Sequence, residues 1–238
     1  MKATVITIIS ILIFALLAGL YGVACWYELN LWAIPVWVAI IVAIPVASLL
    51  HELGHMLFGA MCGIKTKPRF SLFGSSSCAL MPKKENKIKS RVLFTAYGGA
   101  VVNLLIVIIC GSLIALGVAP AWLSVLIPAN AYICILNYIP AHYSSGKSDG
   151  LLIVEIMNES DEGKVLLSVL TVQAQVLNGK PIEEVDEKLL FDLPQIREDE
   201  QSFIALTELR YEYMKAKGNG EEAQKYKQRF EQLKNDYM

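Results

Sequence analysis

From Val92 to Gly146 the chain runs for 55 residues without an Asp, Glu, Lys or Arg. A bilayer's hydrocarbon core takes about 20 apolar helical residues to cross, so a stretch of this length holds two crossings and excludes an ordinary water-soluble domain. Residues 3–27 and 29–50 are also free of charge. Charged residues make up 18% of the chain, below the roughly 25% of soluble domains. The charge divides along the chain. Residues 1–150 hold 10 Lys and Arg against 4 Asp and Glu, and residues 151–238 hold 11 against 18. The first part reads as membrane-embedded and the second as a soluble tail. The acidic tail gives no hint of nucleic-acid binding.

The pattern predicts an all-α polytopic membrane protein with about four transmembrane helices. The first span covers 3–25 and ends at the interfacial pair Trp26-Tyr27. Its length exceeds a usual signal core, and Gly22 stands where a lipoprotein cleavage site has Leu, so a retained span is expected. The second runs from Leu31 past His51 toward Gly63. The third covers 92–118, Gly117 and Pro120 punctuate the uncharged stretch, and the fourth runs from Ala121 to Tyr138 and stops before Pro140. The 61–91 loop carries eight Lys and Arg and one acid, Glu85. The positive-inside rule places that loop and both termini in the cytoplasm. A bacterial cytoplasmic membrane is the expected location. Within the loop, 69–73 and 77–81 flank Gly74-Ser75-Ser76 as a short β-hairpin. Its edge either pairs with an extended peptide or covers the membrane face. Three domains follow: an N-terminal helix over 1–30, a membrane core over 31–158, and a helical cytoplasmic tail over 159–238. The tail includes amphipathic helices at 199–217 and 220–236 that pack on each other or bind a partner. The five cysteines have no metal-ligand spacing and read as reduced thiols.

Residues 51–55 read His-Glu-Leu-Gly-His. Side chains at i and i+4 share a helix face, so both imidazoles reach one metal, and the intervening Glu52 serves as general base in zinc proteases of this pattern. Ionisable groups in an apolar span are costly, and a bound cation satisfies all three. Catalytic zinc takes three protein ligands and leaves a position for water. The only acids in the first 150 residues are Glu28, Glu52, Glu85 and Asp149. Glu28 belongs on the far side of the membrane and Glu85 in a lysine-rich loop, which leaves Asp149. At 1.5 Å per residue, His51 lies about 28 Å below Trp32 and Asn137 about 24 Å below Ala121. Both reach the cytoplasmic face, and Asp149 follows through a short, flexible connection.

Three blocks carry a resemblance: His51-Glu52-Leu53-Gly54-His55, Gly98-Gly99-Ala100-Val101-Val102-Asn103, and Asn137-Tyr138-Ile139-Pro140 with Asp149-Gly150. Together they resemble the site-2 protease family of intramembrane zinc metalloproteases over residues 45–155. The resemblance implies a three-helix core around one zinc ion, with His51, His55 and Asp149 as ligands. It also implies that Asn137 holds substrate or the developing oxyanion. Ala100 stands where the family commonly has Pro, and the gap from Pro140 to Asp149 is longer than the family's. The implied activity is hydrolysis of peptide bonds in or near the transmembrane segments of membrane-anchored proteins, with Glu52 activating the attacking water. Two other classes use part of the pattern: a non-catalytic protein with structural metal, and a metal or ion transporter. His142 reads as an interfacial residue, an alternative ligand or a proton donor. Asn103 either lines the site or hydrogen-bonds a neighbouring helix.

Overall fold

The computed structural model describes residues 3–28, 33–69, 77–118, 121–143 and 146–237. The Gly74-Ser75-Ser76 turn expected between the hairpin strands lies outside the described residues, as do residues 29–32, including Trp32. The elements in chain order are α1 (Ala3–Glu28), α2 (Ala33–Cys62), β1 (Ile64–Arg69), β2 (Ser77–Pro82), α3 (Ile88–Ala115), α4 (Leu126–Tyr138), β3 (His142–Tyr143), β4 (Gly146–Lys147), α5 (Asp149–Met157), α6 (Asp161–Leu177), α7 (Lys188–Phe191), α8 (Gln201–Ala216) and α9 (Gly220–Tyr237). Strand β1 pairs with β2, and β3 with β4. The chain divides into two compact units: Met1–Cys62, Thr66–Ala79 and Phe94–Leu152 form one, and Gly63–Lys65, Leu80–Leu93 and Ile153–Met238 the other. Helix α1 lies in the first of these units.

In the first unit, α1 packs on α2 and α4. Ala18 and Ile40 bury against Phe14, Tyr21 and Val125. Ala43 and Ala47 of α2 meet Ala129 and Ile133 of α4. The small side chains let these helices approach closely. Helix α3 approaches α2 closer still. A Cβ on Gly54 would lie 2.4 Å from the Gly98 carbonyl oxygen, and one on Gly98 would lie 2.6 Å from that of Gly54. Only glycine at both positions permits this crossing.

Among the described residues two helical segments, Val38–Cys62 and Ile88–Ala115, are long and apolar enough to cross a membrane. Ile8–Val23 and Leu123–Tyr138 are shorter apolar helices. The fourth expected span is thus interrupted: Ala121–Val125 winds as a 3-10 turn before α4 begins. Pro128 has no N–H to offer the Ser124 carbonyl, so an α-helical ladder cannot run unbroken through this segment. The expected flexible connection before Asp149 is also structured. His142 pairs with Lys147 and Tyr143 with Gly146 in a two-residue antiparallel ladder. Gly146, at φ 133°, supplies backbone that side chains disfavour, and the Tyr143 hydroxyl donates to the Leu136 carbonyl at 2.8 Å.

The second unit is a helical bundle. Val165, Val169 and Val172 of α6 bury against Leu190, Phe203, Leu206 and Leu233. Ser160 caps α6 by accepting from the Gly163 N–H at 3.2 Å. Arg210 donates to the Leu190 carbonyl at 2.7 Å and lies over the Phe191 ring. Helices α8 and α9 form the expected hairpin, turning through Gly218 at φ 77°. They begin and end within two residues of the boundaries read from the pattern. The 80–93 segment is tied to this bundle by Asn178 donating to the Lys83 carbonyl at 2.8 Å and by a Lys89–Glu159 ion pair at 2.7 Å.

Candidate metal centre

One turn separates His51 from His55 on α2, and both rings point inward, 3% and 5% exposed. The Nε2 atoms lie 3.1 Å apart. Asp149, the first residue of α5, brings Oδ2 to 2.9 Å from His51 Nε2 and 3.1 Å from His55 Nε2. The structure thus brings together the three ligands read from the sequence, and this group could hold a metal ion. No fourth His, Cys, Asp or Glu joins it among the described residues.

What occupies the centre of this triangle follows from the other ring nitrogens. His55 Nδ1 faces the Thr95 carbonyl oxygen at 2.8 Å. A carbonyl only accepts, so Nδ1 carries the proton. His51 Nδ1 donates to Asn103 Oδ1 at 2.7 Å. With Nδ1 carrying the proton, each imidazole in its neutral form turns an Nε2 lone pair toward its neighbour and toward a carboxylate oxygen. Three electron-rich atoms crowd together in a buried place. A proton relieves one pair of them, whereas a cation relieves all three. The 2.9–3.1 Å edges approach the roughly 3.3 Å that separates two tetrahedral ligands at about 2.0–2.1 Å from zinc.

The surroundings fit a cation as well. Glu52 is 6% exposed, and its Oε2 is the one buried side-chain oxygen or nitrogen among the described residues without a hydrogen-bond partner. It lies within electrostatic reach of His51, His55 and Asp149. A divalent cation would balance an ionised Glu52 and Asp149 beside neutral imidazoles. Gly99 of α3 clears the space: a Cβ there would lie 2.5 Å from His51 Cε1 and Nε2 and 2.7 Å from His55 Nε2. Cys78 on β2 is not among the converging atoms. Burial pushes its thiol up to about 11, the Glu52 and Asp149 charges adding to the rise and a Thr66 hydrogen bond opposing it, so it stays protonated at neutral pH.

Asp149 is held by its neighbours on both sides. The Ser148 hydroxyl donates to the Ile139 carbonyl at 2.7 Å. It accepts from the Ala141 N–H at 3.0 Å and from the Leu151 N–H at 3.1 Å. That one group caps α5 and closes the loop from α4. A Cβ on Gly150 would lie 2.1 Å from the Tyr138 carbonyl oxygen, so the backbone there runs directly against the end of α4.

The remaining candidates fall into place differently. Asn103 is fully buried and accepts from His51 Nδ1; the sequence showed only that it sits in an apolar helix. Asn137 donates to the Ile133 carbonyl of its own helix at 3.0 Å. His142 sits in β3 opposite Lys147. Glu85 bonds Gln175 in the second unit. Sequence reasoning missed Asn130, Thr95 and Ser148. An uncharged polar residue in an apolar run was the available signal for Asn130, and for Thr95 the functional atom is the backbone carbonyl, which no residue type reveals.

No protein-family model, curated protein or solved structure matches the chain.

Proposed function

We propose that the protein is an intramembrane zinc metalloprotease of the site-2 protease type, hydrolysing peptide bonds in or near transmembrane segments of membrane-anchored proteins. The observation that carries this reading is the convergence of two Nε2 lone pairs and the Asp149 carboxylate beside a buried Glu52 whose Oε2 has no partner. A structural metal site needs no unsatisfied carboxylate next to it. A hydrolytic site does, because a base must stand ready to take a proton from water.

A four-span arrangement supports the same reading. The outward faces of α1, α2 and α3 carry Leu12, Leu16, Val42, Leu57, Leu105 and Ile109, all exposed. Such surface is stable in lipid and not in water. Helices α1 and α4, packed on α2, serve as the first and fourth spans, and the lysine-rich 61–91 segment faces the cytoplasm.

When bound, zinc supplies Lewis acidity toward a carbonyl and toward water. His51 and His55 present Nε2 because Asn103 and Thr95 hold the Nδ1 protons. Asp149 contributes the third donor from a capped helix start. Glu52 takes the proton of the attacking water and delivers it to the amine that leaves as the peptide C–N bond breaks. Asn137 spends one amide hydrogen on Ile133 and retains a second to donate toward the carbonyl oxygen as charge develops there. The substrate is a membrane helix that unwinds locally, since a helical amide is shielded by its own hydrogen bonds.

The test is zinc content and cleavage of a transmembrane substrate in the detergent-purified protein, with Glu52→Gln alongside. The expected result is one zinc per chain in both and cleavage in wild type alone. Zinc without cleavage in either form supports a structural metal instead.

A further inference from the structure

Behind the metal group runs a chain of buried amides. Asn103 and Asn130 are both fully buried. Asn130 Nδ2 donates to the Leu126 carbonyl one turn back in α4 at 2.8 Å. That carbonyl can only accept, so it fixes which end of the Asn130 amide faces it. The other end, Oδ1, then faces α3 and accepts from Asn103 Nδ2 at 2.7 Å. Asn103 Nδ2 spends its second hydrogen on the Ala47 carbonyl of α2 at 3.0 Å. With both hydrogens committed, Asn103 has only Oδ1 to offer His51 Nδ1. Each bond in the series has one possible direction, set by two backbone carbonyls: Leu126 behind Asn130, and Ala47 beside Asn103.

We infer that Asn130 is a positioning residue for the metal site: it locks the Asn103 amide so that His51 holds its proton on Nδ1 and presents Nε2 as a ligand. The inference rests on the metal reading above and adds a residue from α4, which contributes no side chain to the converging group. Without an acceptor at position 130, one Nδ2 hydrogen loses its partner and only the Ala47 carbonyl still holds the Asn103 amide, so the turned amide that offers Nδ2 to His51 becomes more populated. The stable tautomer of His51 then carries its proton on Nε2, where the metal belongs. Partners beyond the first ligands typically change metal affinity by about 10–100-fold. Asn130 acts through one intermediary, so the lower end applies.

The experiment compares Asn130→Leu and Asn130→Asp with wild type. Leu removes the acceptor. Asp keeps an oxygen for Asn103 whether it is ionised or neutral. Zinc affinity is measured by competition with a chromophoric chelator. The ring tautomer is read by NMR of protein labelled with ¹⁵N-histidine, which is tractable because the chain has 3 histidines. Circular dichroism of each variant reports folding. The expected result is about tenfold weaker zinc binding in Asn130→Leu, a change in the His51 nitrogen shifts, and recovery of both in Asn130→Asp. Equal losses in the two variants, or none in either, overturn the role, because a packing role does not distinguish an acceptor from a hydrocarbon in this way. Wild type that binds zinc beside an unaffected Asn130→Leu overturns this role alone. Wild type that binds no zinc overturns the metal reading together with it.

Discussion

Substituting Gly99 by alanine puts one methyl group into the space between the two imidazoles. Its Cβ would stand 2.5 Å from His51 Nε2 and 2.7 Å from His55 Nε2, where ordinary contact begins at 3.4 Å. One side must therefore yield by about 0.9 Å, the difference between 3.4 and 2.5 Å. Metal ligation tolerates about 0.2 Å, so the displacement exceeds the tolerance several times over. The rings cannot swing away freely, because Asn103 and Thr95 hold their far nitrogens. Overpacking of this kind costs about 1–3 kcal/mol. Borne by the metal-bound form, it corresponds to roughly 5–150-fold weaker binding at about 1.4 kcal/mol per decade. The matched control is Gly111→Ala on the same helix, where a Cβ meets nothing within 4 Å. Helix propensity there favours alanine by about 0.8–1 kcal/mol. Zinc competition and thermal unfolding in detergent read both variants. The reasoning predicts that Gly99→Ala loses zinc affinity while Gly111→Ala keeps it with an equal or higher midpoint. Wild-type zinc affinity in Gly99→Ala would refute it.

Ser148→Ala removes a hydroxyl with three partners. It leaves buried backbone groups unsatisfied at about 1–3 kcal/mol each, so a lower unfolding midpoint and weaker zinc binding are expected together in a thermal scan with and without zinc. Gly150→Ala drives a Cβ into the Tyr138 carbonyl, and the expected outcome is loss of cleavage with zinc retained weakly on the two histidines, measured by metal analysis after dialysis. Zinc at a hundred times its dissociation constant stabilises the folded chain by about 2.7 kcal/mol. A chelator should therefore lower the midpoint of wild type and leave Asp149→Ala unmoved.

The three converging side chains that could hold a metal were legible for specific physical reasons. His51 and His55 sit one turn apart, so a local pattern already aims both at one point. Asp149 stood out because the apolar half of the chain holds so few acids. Distances along two helices that cross in the same direction then placed it at the right depth. The hydrogen bonds that aim the ligands were not legible, since they join residues 52, 40 and 27 positions apart. Asn103 read equally well as lining the site or bonding a neighbour, and the structure gives it both tasks. Gly99 stood in a block that carried only a resemblance, and its missing Cβ leaves the space beside the two imidazoles open. The break at Ala121–Val125 was readable in principle from Pro128, but the apolar run masked it. The ladder before Asp149 depends on Ser148, whose three partners are backbone atoms with no trace in residue identity.

X-ray absorption at the zinc edge of the purified wild-type protein tests the central claim most directly. The account predicts one zinc with nitrogen and oxygen neighbours at about 2.0–2.1 Å, an imidazole scattering pattern fitted by two rings, and no sulfur. A sulfur shell at about 2.3 Å, a single imidazole, or a protein that holds no zinc would contradict it.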